Sequence, residues 1–175
     1  SGNGPLFTVN CENTISAATF HPDGKKISLV SDDYLIRTID SSTGLEIWRD
    51  RIEGKVTKLA ISGDGTLVFA SAENKEICCY KVDDGTLLWN RIFDGLIFSI
   101  SASPKGHELA ACFSTEKKIE YLDANGKTLW SDQFTESDAP KLLAHSPSGD
   151  RIVAAGTLGM LAMYAPDGKR IWYKN

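Results

Sequence analysis

Three histidines are the side chains in this sequence that most invite metal or acid–base chemistry. They are His21, His107 and His145, and each lies at or near a turn between two short apolar segments. Three imidazoles gathered at one mouth of a channel would suit zinc, yet none of them has a second His, Cys, Asp or Glu at a matching short spacing. The pattern therefore favours turn or surface histidines, and we assign no metal ligand.

The cysteines are the second candidate for chemistry, and they are Cys11, Cys78, Cys79 and Cys112. Their spacing fits neither a zinc site nor an evident disulfide framework. Three of them lie inside apolar, strand-like segments, where a buried free thiol is the usual arrangement. Free thiols favour a reducing, cytoplasmic compartment and leave an extracytoplasmic one open.

Composition and motifs exclude several functions. The formal net charge of −4 argues against a nucleic-acid partner, because phosphate binding needs clustered Lys and Arg. No apolar run approaches the roughly 18 residues of a membrane helix, so no membrane span is expected. The sequence also contains no Gly-x-Ser-x-Gly, P-loop or His-Glu-x-x-His motif and no paired carboxylates. We therefore assign no catalytic residue and expect a non-enzymatic protein.

A repeat of about 41 residues runs through the whole chain. Its most regular feature is a turn that ends in Gly and is followed, four positions later, by Trp. The glycines are Gly44, Gly85, Gly126 and Gly168, and the tryptophans are Trp48, Trp89, Trp130 and Trp172. A period of about 40 residues indicates an array, a propeller or a solenoid. Each Trp is expected to pack across the gap between neighbouring repeats and to find a polar partner for its indole N–H.

Within each repeat, four short segments rich in β-branched and apolar residues are separated by Gly, Pro, Asp or Asn, which predicts four antiparallel strands, a to d. The predicted fold is an all-β β-propeller built from four four-stranded antiparallel blades in a single domain, 1–175. The blades are expected at 15–52, 56–93, 97–134 and 140–175.

An extra strand is predicted at residues 6–10, because Phe7 precedes Trp48 by the length of one repeat. This strand is surplus to a closed ring of four blades. Three explanations remain: a part of a larger 7- or 8-bladed ring, two chains that complete an eight-bladed ring, or a small ring with an additional edge strand. We favour the first two, and an open half-ring would expose an apolar face and promote a homodimer or edge-mediated self-association.

The repeats resemble two known families. The segment Tyr121-Leu122-Asp123-Ala124-Asn125-Gly126-Lys127-Thr128-Leu129-Trp130 is similar to a PQQ-like repeat, and Phe20-His21-Pro22-Asp23-Gly24-Lys25 is similar to the start of a WD40-type repeat. Both resemblances imply a β-propeller. The chain lacks the Gly-His and Trp-Asp dipeptides of WD40 repeats, so the hydrogen-bond network of that family is not carried over.

The resemblance also raises a quinoprotein alternative, since PQQ-dependent alcohol dehydrogenases place an adjacent-cysteine disulfide beside the quinone. Cys78 and Cys79 are the matching pair, but they lie in the middle of a predicted strand, where successive side chains point to opposite faces. No metal-binding carboxylates accompany them. We therefore assign no cofactor and keep the PQQ-dependent dehydrogenase as an alternative function.

The remaining candidate site is the rim formed by the d–a and b–c loops. Its charged residues are Asp32, Asp33, Glu53, Glu73, Lys75, Asp94, Glu116 and Lys117. Their acidic balance suits a basic peptide or protein, which predicts a protein-interaction or scaffold platform with an unidentified protein partner. A small-ligand or carbohydrate-sensing propeller is a further alternative, for which Tyr34 and Phe98 are the only exposed-aromatic candidates.

Overall fold

The computed structural model describes residue 8 and residues 13–113, 115–135 and 138–174, and all regular structure within these ranges is β-strand. Sixteen strands form four separate four-stranded sheets, each with its strands in chain order. All neighbouring strands are antiparallel. The predicted all-β fold with four four-stranded antiparallel blades is thereby confirmed.

The blades have the following strands, in the order a, b, c, d. Blade 1 contains β1 (Ile15–Phe20), β2 (Lys26–Ser31), β3 (Leu35–Asp40) and β4 (Glu46–Arg51). Blade 2 contains β5 (Val56–Ile61), β6 (Leu67–Ala72), β7 (Glu76–Lys81) and β8 (Leu87–Ile92). Blade 3 contains β9 (Ile97–Ala102), β10 (Leu109–Phe113), β11 (Lys118–Leu122) and β12 (Thr128–Gln133). Blade 4 contains β13 (Pro140–His145), β14 (Ile152–Gly156), β15 (Leu161–Tyr164) and β16 (Arg170–Lys174).

The core is divided among the three gaps between neighbouring blades. One hydrophobic cluster fills the gap between blades 1 and 2, a second lies between blades 2 and 3, and a third between blades 3 and 4. Every residue of β6 and of β10 is buried, because each of these strands is covered by a blade on both faces. Both strands are accordingly apolar along their length rather than alternating, with Ser71 of β6 as the exception.

Each blade has a leading face, towards the blade before it, and a trailing face, towards the blade after it. The inner strands β1, β5, β9 and β13 contact one another in sequence along the array. Among the described residues, no hydrophobic cluster joins blade 4 to blade 1. The four blades therefore form an open arc in the described part of the chain.

The extra strand at residues 6–10 lies outside the described residues except for Thr8, which is exposed and belongs to no strand. In the described ranges, no helix has the length and hydrophobicity to cross a membrane.

Candidate interaction surface

The repeated Trp and Gly residues lie in the gaps between blades. The indole N–H of Trp48 donates to the carbonyl of Val82 at 2.6 Å, in the c–d turn of the next blade. The same hydrogen bond joins Trp89 to Ala124 and Trp130 to Pro166, both at 2.8 Å. Each Trp of blades 1 to 3 thus ties its blade to the turn of the following one.

The c–d turn glycines are needed for two reasons. Gly85 and Gly126 have φ values of 71° and 76°, in the region that side-chain-bearing residues disfavour. A Cβ added at Gly85 would lie 2.7 Å from Cδ2 of Trp48, and one at Gly126 would lie 2.9 Å from Cδ2 of Trp89. The glycine therefore permits both the turn and the close approach of the preceding blade's indole ring.

The outer ends of the gaps carry polar contacts that differ from gap to gap. The Asp132 carboxylate accepts hydrogen bonds from Arg170 at 2.5 Å and from the Tyr164 hydroxyl at 2.8 Å, which links blades 3 and 4. Burial, together with this hydrogen bond, raises the pKa of Tyr164. Between blades 2 and 3, Arg91 pairs with Glu120 at 3.2 Å. These contacts hold the outer edges of neighbouring blades together.

The three histidines lie in different gaps and do not converge. His21 Nε2 lies 2.9 Å from Ser28 Oγ, His107 Nε2 lies 2.6 Å from Asp64 Oδ2, and His145 Nδ1 lies 2.9 Å from Ser101 Oγ. Turn or surface positions were expected for all three. His21 does lie in the turn between β1 and β2, but it is 3% exposed, so it is a buried turn residue rather than a surface one. In the described part of the chain, no group of three His, Cys, Asp or Glu residues is arranged to hold a metal ion.

The adjacent cysteines face opposite sides of blade 2. Cys78 packs in the cluster between blades 1 and 2, and Cys79 packs in the cluster between blades 2 and 3. Both are free, and burial raises the pKa of each thiol to about 12, with the nearby Glu76 contributing at Cys78. Both thiols therefore stay protonated at neutral pH and serve as small core side chains.

The rim is a rigid surface, because strand d of each of the first three blades is tied to the b–c turn of its own blade. The backbone N–H of Phe93 donates to the carbonyl of Lys75 at 2.9 Å, and Phe134 donates to Lys117 at 2.7 Å. The turn residues Tyr34, Lys75 and Lys117 all adopt positive φ values, of 66°, 69° and 50°. This shared geometry holds the b–c turns of blades 1 to 3 in equivalent positions.

The structure brings some of the predicted rim residues together and separates others. Lys55 Nζ lies 3.1 Å from Asp32, and Asp32 and Glu73 both raise the pKa of this lysine, Asp32 more strongly through its hydrogen bond. Asp33 is engaged within its own blade by Arg37 at 2.8 Å, so it is less available to a partner. Lys75 Nζ donates to the backbone carbonyl of Asp94 at 2.7 Å.

The other predicted rim residues occupy two environments. Glu53, Glu73 and Asp94 are exposed, whereas Glu116 and Lys117 are half-buried in the b–c turn of blade 3. The exposed carboxylates give the rim of blades 1 and 2 an acidic surface.

An apolar hollow of about 310 Å³ lies in this rim between blades 2 and 3. We call it the rim hollow, and it is lined by Thr57, Lys58, Ala72, Glu73, Leu96, Ile97 and Phe98. Leu96 is 44% exposed, and the ammonium group of Lys141 lies 5.4 Å from the centre of the Phe98 ring. Among the predicted residues only Glu73 and Phe98 belong to it.

Sequence reasoning overlooked Leu96, although the repeat carries a signal for it. Lys55 and Thr57 occupy the d–a loop and first strand of blade 2 where blade 3 has Leu96 and Phe98. Two apolar residues at positions that are polar in the preceding repeat mark a local exception to the pattern. The exposed-aromatic candidates do not form one site, because Tyr34 belongs to blade 1 and Phe98 to blade 3.

Comparison with solved structures shows the same fold in longer chains. The protein superposes on the structure of U3-55K and on the RRP9 WD40 repeats, in each case with a TM-score of 0.78 and 16% identity over 93% of this chain and 52% of the other. It superposes on the Cps50 (Swd1) β-propeller domain of Myceliophteria thermophila with a TM-score of 0.80 and 16% identity, over 96% of this chain and 58% of the other. The chain thus spans about half the length of these propellers.

Sequence comparison identifies the family. No curated protein matches the sequence. Residues 31–175 match the PQQ_2 family model, which is described as outer membrane protein assembly factor BamB. Because this match covers most of the chain and the structure is a WD40-type array of blades, the repeat is of the WD40-like and PQQ-like type that its Gly and Trp residues indicated. The chain belongs to the PQQ-like repeat family described as outer membrane protein assembly factor BamB.

Proposed function

We propose that the chain is a non-catalytic protein-interaction module that binds an extended, basic segment of a partner protein across the rim of blades 1 to 3. The single observation that carries this proposal is the rim hollow, an apolar depression on a rigid surface with Glu73 and Lys58 in its lining. Its volume of about 310 Å³ suits one large side chain. Leu96 and Phe98 supply the apolar contact.

The charges around the hollow favour a basic partner. Glu73 and Lys58 both line the hollow, and Lys141 lies over Phe98. The exposed Glu53 and Asp94, in the d–a loops on either side of blade 2, add two carboxylates and leave the surroundings acidic by one charge. An apolar anchor in a pocket with complementary charges at its edge is a common arrangement of binding hot spots. The anchor supplies affinity, and the acidic edge selects a segment with Lys or Arg beside that anchor.

The rigidity of the rim supports the same function. The backbone hydrogen bonds from Phe93 and Phe134 hold the loops before a partner arrives, so little conformational entropy is lost on binding. The groups best suited to catalysis lie elsewhere, since Cys78, Cys79 and His21 are buried in the gaps between blades. The rim is therefore suited to recognition.

Selection of peptides from a displayed random library tests this proposal. We expect the selected peptides to share a large apolar residue flanked by Lys or Arg. Leu96→Asp should weaken their binding at least tenfold, about 1.4 kcal/mol, because it places a charge in the apolar hollow. Leu129→Asp is the matched control, since Leu129 is a 54% exposed leucine that lies near the c–d turn of blade 3, away from the rim.

Equal binding of the selected peptides to the wild type and to Leu96→Asp would contradict the proposal, as would failure to select any peptide. Glu73→Lys provides the test of charge. It should weaken the basic peptides while leaving binding of a charge-neutral version of the same peptide nearly unchanged.

A further inference from the structure

The residue two positions after the Trp lies at the outer end of the gap that follows its blade. This residue is Asp50 in blade 1, Arg91 in blade 2 and Asp132 in blade 3. Arg170 of blade 4 binds Asp132 through Nε at 2.9 Å and through Nη2 at 2.5 Å. Glu120 of blade 3 binds Arg91 at 3.2 Å. Two of the three gaps therefore contain an arginine–carboxylate pair at this place.

The gap between blades 1 and 2 contains the carboxylate and has a leucine in place of the arginine. Asp50 stands where blade 3 has Asp132. Strand register pairs Leu87 with Tyr80 in blade 2, as it pairs the arginine of blade 4 with a tyrosine. Burial, followed by Cys78 and Asp50, raises the pKa of Tyr80, so the carboxylate and the tyrosine are neighbours here as well.

A cavity of about 210 Å³ lies beside Asp50 and Leu87, and we call it the first-gap cavity. Its charged and amide side chains are Asp50, Arg51, Glu53, Asn74, Glu76 and Asn90. A water molecule takes about 30 Å³ in the liquid. The first-gap cavity therefore has room for several water molecules, or for a guanidinium group and part of the methylene chain that carries it.

The charge of this cavity is negative. Three carboxylates line it, and Arg51 is the one cation among the described residues of its lining. The Arg51 guanidinium lies towards the b–c turn of its own blade, where it donates to the carbonyl of Asp33 at 3.4 Å and lies 5.6 Å from the centre of the Tyr34 ring. In the described ranges, no Lys, Arg or His forms an ion pair with Asp50 or Glu76.

Glu76 is held in place as a hydrogen-bond acceptor. It is 6% exposed, and its carboxylate accepts hydrogen bonds from the side-chain amides of Asn90 at 2.7 Å and of Asn74 at 3.1 Å. Each amide donates through its nitrogen, so its carbonyl oxygen remains an acceptor. Buried charges in proteins are generally paired, and a cationic donor is the group that pairs with this carboxylate.

The surroundings favour a guanidinium over a metal ion or an ammonium group. No three His, Cys, Asp or Glu side chains of the described ranges are arranged to hold a metal ion. A guanidinium presents its N–H donors in a planar fork and is more weakly hydrated than an ammonium, which suits carboxylates beside apolar side chains. Leu87 and Ile92 also line the cavity, are 44% and 71% exposed, and suit the methylene groups of an arginine.

We propose that the first-gap cavity binds a guanidinium group from outside the chain, with Asp50 as its ion-pair partner and Glu76 as a second acceptor. The bound group takes the place that Arg170 takes between blades 3 and 4. The cavity lies between blades 1 and 2, whereas the rim hollow lies between blades 2 and 3. Binding in the cavity therefore does not depend on peptide binding at the rim.

An NMR titration of the ¹⁵N-labelled chain tests the proposal, with Nα-acetyl-arginine N-methylamide as the probe. We expect saturable shifts that include the side-chain amides of Asn74 and Asn90. The corresponding lysine compound has the same charge and should bind at least about fivefold more weakly. Equal affinity for the two compounds, or the absence of saturable shifts, would overturn the proposal.

The carboxylate variants test where the probe binds. Asp50→Asn should weaken binding of the arginine compound at least about fivefold, because it removes the charge and keeps the shape of the side chain. Asp94→Asn is the matched control, since it removes the same charge from an exposed residue outside the cavity. Leu96→Asp in the rim hollow should also leave the affinity unchanged. Binding to Asp50→Asn as tight as to the wild type would overturn the proposal.

An arginine supplied by the chain itself gives a second measurement. Leu87→Arg gives blade 2 the residue that blade 4 has at this position, so it should abolish binding of the probe and raise the midpoint of thermal unfolding by about 2–4 °C. Leu87→Gln, of similar length and without the charge, should do neither. The gain should disappear when Leu87→Arg is combined with Asp50→Asn. A Leu87→Arg protein that binds the probe as the wild type does would overturn the proposal.

Two further probes identify the source of the guanidinium group. Agmatine represents a free guanidinium compound, and a capped peptide with one arginine between glycines represents a protein chain. Tighter binding of the peptide indicates an arginine of a partner protein, tighter binding of agmatine indicates a small molecule, and either result supports the site. Failure of both to displace the arginine compound would overturn it.

Discussion

Trp48 and Trp172 occupy the same place in the repeat and have opposite surroundings. Trp48 is 8% exposed, stacks on Tyr80 with ring centres 5.7 Å apart and donates its N–H to the next blade. Trp172 lies on the trailing face of blade 4, which no described blade covers, and the ammonium group of Lys174 lies 6.0 Å from the centre of its ring. The same motif therefore encodes a surface that binds a blade, and its energetic contribution depends on whether a blade is present.

The largest expected effect comes from removing the covered tryptophan. Trp48→Ala should lower the free energy of unfolding by about 3–5 kcal/mol, because it opens a cavity in the cluster between blades 1 and 2. Trp172→Ala should cost less than about 1 kcal/mol when measured at concentrations where the chain is monomeric. Urea denaturation of both variants gives the comparison. Equal losses would show that blade 4 is covered within one chain.

The glycine beneath the indole ring provides the next contrast. Gly126→Ala should cost about 2–4 kcal/mol, since the added methyl group is strained at a φ of 76° and approaches Trp89 to 2.9 Å. Gly24→Ala is the control, because Gly24 has a φ of 70° and no atom within 4 Å of the added Cβ.

Gly24→Ala should therefore lose only the free energy needed to hold an alanine at a positive φ, about 1–2 kcal/mol. Thermal unfolding of the two variants separates conformational strain from contact with the preceding blade. If both lose the same stability, the Gly–Trp contact contributes nothing to the gap.

A pH titration probes the gap between blades 3 and 4. Burial lowers the pKa of His145 to about 4, although Glu108 acts in the opposite direction. A histidine in the unfolded chain has a pKa of about 6.5. Between this pH and pH 4, the unfolded chain therefore binds a proton at His145 that the folded chain does not. The contribution of His145 to stability is thus complete above pH 6.5 and is lost as the pH falls towards 4.

The expected loss over this window is about 1–3 kcal/mol. His145→Gln should flatten the pH dependence between pH 6.5 and 4, measured by urea denaturation at each pH. His21 contributes in the same direction, because burial also lowers its pKa. An unchanged profile in His145→Gln would contradict the assignment.

The smallest effect is expected at the exposed contact between blades 2 and 3. His107 and Asp64 lie 2.6 Å apart with side chains 45% and 43% exposed, so solvent screens their interaction. His107→Ala should change the free energy of unfolding by less than about 1 kcal/mol. A loss comparable to that of Trp48→Ala would show that exposed polar pairs, rather than the indole rings, hold neighbouring blades together.

Most of the fold was predictable from the sequence, because local patterns specify it. Strand segments bounded by Gly, Pro, Asp and Asn depend on short-range backbone preferences, and the spacing of Trp48, Trp89 and Trp130 fixes the repeat. The site was predictable only in part. Among the residues of the rim hollow, Glu73 and Phe98 were recognised, whereas Leu96 became visible as a site residue once the d–a loop of blade 3 lay beside strand a of blade 2.

The burial of His21 is a second feature that the sequence could not predict. His21 follows an apolar strand and precedes Pro-Asp-Gly, a sequence typical of an exposed turn. The structure buries it at 3% exposure because blade 2 closes over the turn, and Ser28 supplies its hydrogen bond. No local pattern reports this contact, since its covering residues are contributed by another repeat.

The sequence by itself determined the strands, their turns, the period of the repeat and the residues that join one blade to the next, because these depend on neighbours a few positions apart. Only the tertiary structure decided which faces are covered, since that depends on how four blades are placed around a common centre. It put Cys78 and Cys79 into different gaps, buried His21, formed the rim hollow between two blades and left the face of Trp172 without a described blade upon it. The physical reason is that burial in a propeller is a property of pairs of blades and never of one.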